Sequence, residues 1–334
     1  MIFTGHSKIL GVGSYIPKQV VSSVDLLTEI KTESRFGIPA TWMDDKLGIV
    51  SRRYCEDSDK ASDIASIASL RAIEEAQIEP RHLDAIIYCG ITGDFVEPGT
   101  AHVIQRKLGA ENVICKDVAN ACHGFSDGLL LADMMIAGGC KHILVITAEL
   151  TRVGRFSIPS LMRTTSKDEF IKKLGFVSVG DAAAGVILGN KTHDGRGIHV
   201  FNTKSDGSFS SLCSYDLETD NFLGGMMMEN IGRITVRQGI KQASETLKWL
   251  GWRRDEIRHL VIHQVGREPF EFCKRMLRFK NANMPMTYDY LGNITTVSLP
   301  LGLELVKKYG EVNDKLCIAS SGSGIVTSWI CMTL

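Results

Sequence analysis

A cysteine, a histidine and an asparagine, each at the edge of a strand or helix pattern, mark where this chain could do chemistry. Cys122 ends the stretch Lys116-Asp-Val-Ala-Asn-Ala-Cys122 and is followed by an apolar-periodic run with Leu129, Leu130, Leu131, Met134, Met135 and Ile136. That pattern predicts a strand delivering the cysteine to the first turn of a helix. There the unpaired N–H groups favour thiolate over thiol, and a thiolate can attack a carbonyl. His263 closes the buried-strand pattern Ile257-Arg-His-Leu-Val-Ile-His263, and Asn293 lies in Leu291-Gly-Asn-Ile-Thr-Thr296, ahead of an apolar segment. A cysteine, a histidine and an amide donor are what acyl transfer through a thioester requires. Fixed N–H groups would hold the oxyanion, and the turn Ser321-Gly-Ser-Gly324 could supply one from Ser323 beside that of Cys122. Taken singly, each residue has a plainer reading. Most free cysteines are small core hydrophobes, and a histidine ending a strand is usually a hydrogen-bonded core residue.

The elements that must position them repeat. An opening strand at Ile9–Ile16, an amphipathic helix at Ser62–Gln77 with Ile64, Ile67, Leu70 and Ile73 on one face, and a buried strand at Leu83–Gly90 come first. A loop at 91–100, a helix at 102–108, the Cys122 segment and a second buried strand at Gly138–Glu149 follow. The helix at 234–250, the turn near Arg253 and the strand at Ile257–His263 match this order at a constant offset of 174 residues, and Gly310–Ser321 echoes Gly138–Glu149. Cys89 then pairs with His263, and Cys122 maps to Thr296, close to Asn293. Two matching halves, 1–175 carrying the cysteine and 176–334 carrying the histidine and asparagine, predict two α/β units packed face to face, so that the three residues converge. The segment 191–238 breaks the pattern. It reads as an insertion, or through Met226-Met-Met228 as an adaptable apolar lining for a long substrate.

With 334 residues, 44% hydrophobic and 23% charged, the composition is that of a soluble globular protein. Thirty-eight basic and 38 acidic residues cancel without blocks of either sign, which argues against nucleic-acid binding. No run approaches the roughly 20 apolar residues of a membrane span, and no secretory signal opens the chain. Nine cysteines scattered through apolar segments form neither a disulfide framework nor a metal pattern, which predicts a reduced, cytoplasmic protein.

Ala119-Asn-Ala-Cys-His-Gly-Phe125, Val179-Gly-Asp-Ala-Ala-Ala-Gly185, Val261-Ile-His-Gln264, Gly292-Asn293 and Gly322-Ser-Gly324 resemble, in order and over essentially the whole chain, the thiolase-fold condensing enzymes of the ketoacyl synthase III type. The resemblance implies a five-layered αβαβα fold, a homodimer and ping-pong acyl transfer. It further implies a Cys–His–Asn triad in which Cys122 is acylated while His263 and Asn293 bind the second thioester and stabilise its enolate. No permanently bound cofactor is implied: the substrates arrive on CoA or on the phosphopantetheine of acyl carrier protein. Trp42 sits where the family stacks an aromatic on the CoA adenine, and Lys46 and Lys173 where it places basic phosphate contacts.

The departures from the housekeeping pattern point to a branch. Val265-Gly266 replaces an Ala-Asn pair after His-Gln, and Glu268 stands where an arginine is usual. Before the loop proline in Gly93-Asp-Phe-Val-Glu-Pro98, where a bulky apolar residue is normal, stands Glu97. This resembles the head-to-head branch: the olefin-pathway type joining two fatty acyl-CoAs, and the ketosynthases joining two β-ketoacyl chains into α-pyrones. In that branch the glutamate acts across the dimer interface as the base for the second thioester, so no malonyl decarboxylation is needed. The expectation is an α-pyrone-forming ketosynthase of secondary metabolism. The alternatives are β-ketoacid synthesis from two acyl-CoAs, a decarboxylating synthase III and a silent thiolase-fold subunit. Without the resemblance, Glu97 reads as a solvated loop carboxylate. A papain-like hydrolase also uses Cys, His and Asn, but the Gly292-Asn293 and Val179–Gly185 contexts do not fit it.

Overall fold

The computed structural model describes residues 1–150, 158–191, 194–216, 221–223 and 228–334. Two five-stranded sheets stack with helices outside and between them. The first sheet has the order β2 (Ser7–Tyr15), β8 (Ala182–Asn190), β7 (His142–Glu149), β5 (Ala85–Tyr88) and β6 (Ile114–Asp117). The second has the order β1 (Ile2–Thr4), β9 (Gly197–Ser205), β14 (Val326–Thr333), β13 (Lys315–Gly322) and β12 (Ile257–Ile262). Along β2-β8-β7-β5 the pairings run antiparallel, antiparallel, parallel, and β9-β14-β13-β12 repeats that series. Two two-stranded antiparallel pairs stand apart, β3 (Gln19–Ser22) with β4 (Ser51–Tyr54) and β10 (Ser214–Asp216) with β11 (Asn221–Leu223).

Between the sheets lie α5 (Gly124–Ala137) and α12 (Ser298–Lys307), and one apolar core joins both helices to the inner faces of both sheets. Outside the first sheet pack α3 (Ala61–Glu75) and α4 (Thr100–Leu108). Outside the second pack α9 (Met228–Leu250) and α10 (Arg267–Leu277), with α1 (Ser23–Ile30) and α2 (Thr32–Phe36) extending that layer. Short helices α6 (Ile158–Arg163), α7 (Lys167–Lys172), α8 (Leu174–Ser178) and α11 (Tyr288–Leu291) complete the chain. This is the expected α/β, five-layered αβαβα thiolase fold. Central strands such as Ile143–Ala148 are wholly buried because helices cover both faces, which is why they read as near-continuous apolar runs, here broken only by Thr147.

Three sequence expectations shift. β8 completes the first sheet and β1 caps the second, so the sheets interleave across the division expected at 175/176. The supposed insertion at 191–238 contains β9, the counterpart of β2; its Met226–Met228 run lies outside the described residues apart from the backbone of Met228, which starts α9. On α3 the buried face is Ile64, Ala65, Ala68, Ala72 and Ile73, while Ile67 and Leu70 face outward at 39% and 49% exposure. The reason is steric: α3 lies so close to β2 that a methyl on Gly13 would stand 2.3 Å from the Ala68 carbonyl oxygen, leaving room only for small residues. The offset of 174 survives in detail. The helical turn Pro80–His82 maps onto Arg254–Glu256, and left-handed Ala121 (φ 46°) maps onto left-handed Thr295 (φ 45°).

Candidate active site

The two left-handed residues set the two turns of one cavity of about 340 Å³, bordered by Cys122, His263, Asn293 and Ser323 together. In the first half β6 ends at Asp117, and the turn through Ala121 presents Cys122 two residues before α5 begins. A non-glycine residue at positive φ costs about 1 kcal/mol, and such strain collects at functional turns. The thiol is not a resting thiolate, contrary to the expectation from the helix start. Burial, then the charge of Glu149 and the neighbouring Cys213, push it up to about 12, and the opposing backbone hydrogen bond is too weak to reverse this.

His263 follows the last residue of β12, its N–H directed to the Ala319 carbonyl at 3.4 Å. Burial lowers its imidazole to about 4, against a smaller opposing hydrogen bond at the Thr295 backbone, so the ring is neutral. Nδ1 lies 3.0 Å from Ser298 Oγ, while the Ser298 hydroxyl donates to the Thr295 carbonyl at 2.8 Å. With its own proton committed, Ser298 accepts from Nδ1–H. This network assigns the tautomer and leaves Nε2 to exchange protons across the cavity. The next residue, Gln264, is buried: it donates to the Pro285 carbonyl at 2.7 Å and accepts from the Thr287 N–H at 2.9 Å. It thereby ties the histidine strand to the segment leading into α11.

At the end of α11, Gly292 has φ 69°, and a methyl there would stand 2.4 Å from the Ser178 carbonyl oxygen. Only glycine lets Asn293 donate its N–H to that carbonyl, at 2.8 Å, and receive the Gly180 N–H at 3.3 Å. The Val179–Gly185 motif is thus a brace for the asparagine. Asn293 Oδ1 accepts the Thr295 N–H at 3.0 Å, which leaves the Nδ2 hydrogens free to serve as oxyanion donors. Ser321, Gly322 and Ser323 reach the cavity because Gly322 lies against the Cys122 turn, where a Cβ on it would stand 2.9 Å from that of His123.

The remaining expected residues lie elsewhere. Glu97 is exposed on a loop whose root, Ile91 and Thr92, borders the cavity and whose tip displays Phe95 at 51% and Val96 at 106% exposure. The chain does not bring Glu97 to its own cysteine. Trp42 is half-buried against the outer core, and Lys46 is exposed just beyond it. Their segment touches the cavity's outer wall through α10: a side chain on Gly48 would meet Arg267, and one on Gly266 would meet Leu47. Lys173 is 6% exposed, its ammonium 2.9 Å from Glu169. None of the three borders the cavity.

Sequence reasoning missed Glu149, Ser298 and the Thr295–Thr296 pair. A signal existed for Glu149, a lone carboxylate closing a strand that is apolar but for Thr147; Ser298 had none beyond its place at a helix start. Among the described residues no group of His, Cys, Asp or Glu could hold a metal, and no helix is long and apolar enough to cross a membrane.

A family model described as 3-oxoacyl-[acyl-carrier-protein] synthase III, C terminal, matches residues 247–334. The chain is 30% identical over 329 residues to the β-ketoacyl-[acyl-carrier-protein] synthase III of Ehrlichia canis, covering 96% of this chain and 97% of that one. It is 29% identical over 323 residues to the enzyme of the same name from Oceanobacillus iheyensis, covering 96% of each. Among solved structures it is similar to FabH, a 3-oxoacyl-(acyl carrier protein) synthase III from Xanthomonas oryzae, with TM-score 0.88, 26% identity and full coverage of both chains. It is equally similar to a variant of OleA from Xanthomonas campestris, with TM-score 0.88, 25% identity and full coverage of both.

Proposed function

Because the chain belongs to the β-ketoacyl-[acyl-carrier-protein] synthase III family of thiolase-fold condensing enzymes, we propose that it joins two acyl thioesters head to head through an acyl-Cys122 intermediate, without decarboxylation. The observation that carries this reading is the convergence of Cys122, His263 and Asn293 on one apolar cavity. Cys122 Sγ attacks the first thioester carbonyl as His263 takes the thiol proton. The N–H groups of Cys122 and Ser323 hold the oxyanion, and the carrier thiol leaves with that proton. Since thiol and imidazole are both neutral at rest, proton transfer accompanies attack rather than preceding it.

The second thioester enters past Trp42 and Lys46, its carbonyl oxygen held by Asn293 and His263. Glu97 of a second copy removes its α-proton, the enolate carbon attacks the acyl-Cys122 carbonyl, and the cysteine is released as thiolate to regain a proton. What supports a base supplied in trans is the loop itself: it is rooted at the cavity in Ile91 and Thr92, yet carries Glu97 outward behind an exposed apolar tip. Insertion of that tip into a second copy would surround the carboxylate with apolar walls and strengthen it as a base near neutral pH. With β-keto groups on both chains, the α-carbon is more acidic. Enol attack on the remaining thioester would then close an α-pyrone and expel the carrier thiol. Decarboxylative condensation with a malonyl thioester is the second reading, favoured by the names of the curated relatives.

The test is to incubate the protein with a β-ketoacyl and a plain acyl thioester, without a malonyl donor, and to identify products by mass spectrometry. A coupled product of summed chain length supports head-to-head condensation. Acyl loading that couples only when malonyl thioester is added, with release of CO2, rejects it. Cys122→Ala should not load at all. Glu97→Gln should load at the wild-type rate but condense about 10²–10⁴-fold more slowly, the usual cost of losing a general base.

A further inference from the structure

Glu149 is the last residue of β7, 1% exposed, and borders the cavity with Cys122. A buried carboxylate is costly unless hydrogen bonds satisfy it, and this one is satisfied from two directions. From the first half, the root of the 91–99 loop donates the Ile91 N–H to Oε1 at 3.0 Å and the Thr92 N–H and hydroxyl to Oε2, each at 3.4 Å. From the second half, the Thr296 hydroxyl donates to Oε1. Every donor is neutral, and all of them call for the ionised form. Burial raises the carboxyl pKa above its ordinary value, and these hydrogen bonds offset that rise only in part.

The donors belong to the segments the reaction depends on. Thr296 sits in the turn whose Thr295 N–H fixes the Asn293 amide and whose Thr295 carbonyl, through Ser298, fixes the His263 tautomer. Ile91 and Thr92 are the root of the loop that carries Glu97. Thr296 is also the repeat counterpart of Cys122, at the same offset of 174 residues. One turn therefore presents the nucleophile, and its duplicate presents a hydroxyl to the carboxylate beside it.

We propose that Glu149 is a positioning residue for the condensation, one carboxylate that holds the root of the Glu97 loop and the turn of Asn293 and His263 in fixed relation to Cys122. A second consequence is electrostatic. The carboxylate of Glu149 borders the same cavity as the sulfur, with Cys213, Cys273 and neutral His263 the other titratable groups lining it, so Glu149 opposes a thiolate while the cavity is empty. The nucleophile is thus withheld from adventitious electrophiles until a thioester and His263 draw the proton away together. The positioning role rests on the catalytic roles proposed above for Cys122, His263, Asn293 and Glu97; the electrostatic one does not.

The experiment reads the two roles separately. Alkylation of Cys122 by iodoacetamide, followed peptide by peptide across pH 6–11, needs no substrate and so is independent of the proposed reaction. Glu149→Gln keeps shape and removes charge: the alkylation midpoint should fall, with a rate at pH 8 about tenfold above wild type, the change that one pH unit represents. Thr296→Val keeps the charge and removes a tether: the alkylation profile should match wild type, while coupling of the acyl-enzyme slows about ten- to a hundredfold with KM for the loading thioester unchanged. A purely structural carboxylate would leave the alkylation midpoint unmoved in Glu149→Gln, and that result overturns the electrostatic role. Wild-type coupling by a folded Thr296→Val overturns the positioning role. If wild type loads acyl groups but couples nothing under any condition, the proposed reaction fails, while the alkylation profiles still decide the charge effect.

Discussion

Adding a single methyl at Gly322 should slow catalysis measurably while leaving the protein folded. The new Cβ would lie 2.9 Å from His123 Cβ, 3.1 Å from the His123 nitrogen and 3.3 Å from the Asn120 carbonyl oxygen, where ordinary contacts begin at 3.4 Å. The strand end or the Cys122 turn must therefore retreat by about half an ångström. Neither side is soft. β13 is paired with β14 up to Gly322 itself, and the His123 N–H is bonded to Asn120 at 3.0 Å. The positions carry no left-handed strain, so the cost is overpacking alone, about 1–3 kcal/mol. For 334 residues the unfolding entropy is about 0.7 kcal/mol/K, so Gly322→Ala should lower Tm by about 1–4 °C. The adjacent Ser323 N–H moves with the strand end. Complete loss of an oxyanion donor costs about 10²–10³ in rate, so partial misplacement should slow single-turnover acylation of Cys122 about ten- to a hundredfold, with little change in thioester affinity. Differential scanning calorimetry and rapid-quench mass spectrometry measure the two effects, and Gly207→Ala, where a methyl meets nothing within 4 Å, is the control. Wild-type acylation by Gly322→Ala would refute the claim that this close approach aims Ser323 at the cysteine.

Two further predictions concern His263 and the cavity wall. Because His263 is held at about 4 in the fold against 6.5 in the unfolded chain, the unfolded state binds more protons between those values, and stability falls as pH drops through that window. Replacement by glutamine should therefore reduce the destabilisation between pH 7 and pH 5, read from urea midpoints, by about 2 kcal/mol; an unchanged difference would contradict the depressed value. Gly232 on α9 borders the cavity and a methyl there meets nothing within 4 Å. Gly232→Phe should fold normally but shift kcat/KM toward shorter acyl chains by tenfold or more, since each excluded methylene costs about 1–3 kcal/mol. An unaltered chain-length profile would place the acyl group elsewhere.

The convergence of Cys122, His263 and Asn293 on one cavity was legible because strand and helix periods fix where they fall, and because duplication gives a frame in which they can be compared. The matching left-handed turns at Ala121 and Thr295 carry that frame down to single dihedral angles. Periodicity is blind to what crosses between halves. Glu149 completes an apolar strand and gains its meaning only from Thr296, 147 residues away. The outward turn of Ile67 and Leu70 was hidden because apolar spacing on α3 said nothing of how closely β2 would approach. The thiol's resting state was misjudged for a similar reason: a helix start is visible in sequence, but the burial and the facing carboxylate that outweigh it are not.

The interleaving of the sheets also sets a schedule for biosynthesis. Among the described residues β2 pairs with β8 alone and β1 with β9 alone, so each waits during synthesis for a partner more than 160 residues further along the chain. A nascent chain that has emerged through α8 presents β7 with one edge bare and β2 unpaired, although both end up largely buried in the fold. Such long-range closure is slow, and bare edges of this kind invite aggregation. Synthesis therefore imposes a vulnerable interval that ends only when β8 slots between β2 and β7, and the cavity itself cannot exist until β13 has emerged and paired beside β12.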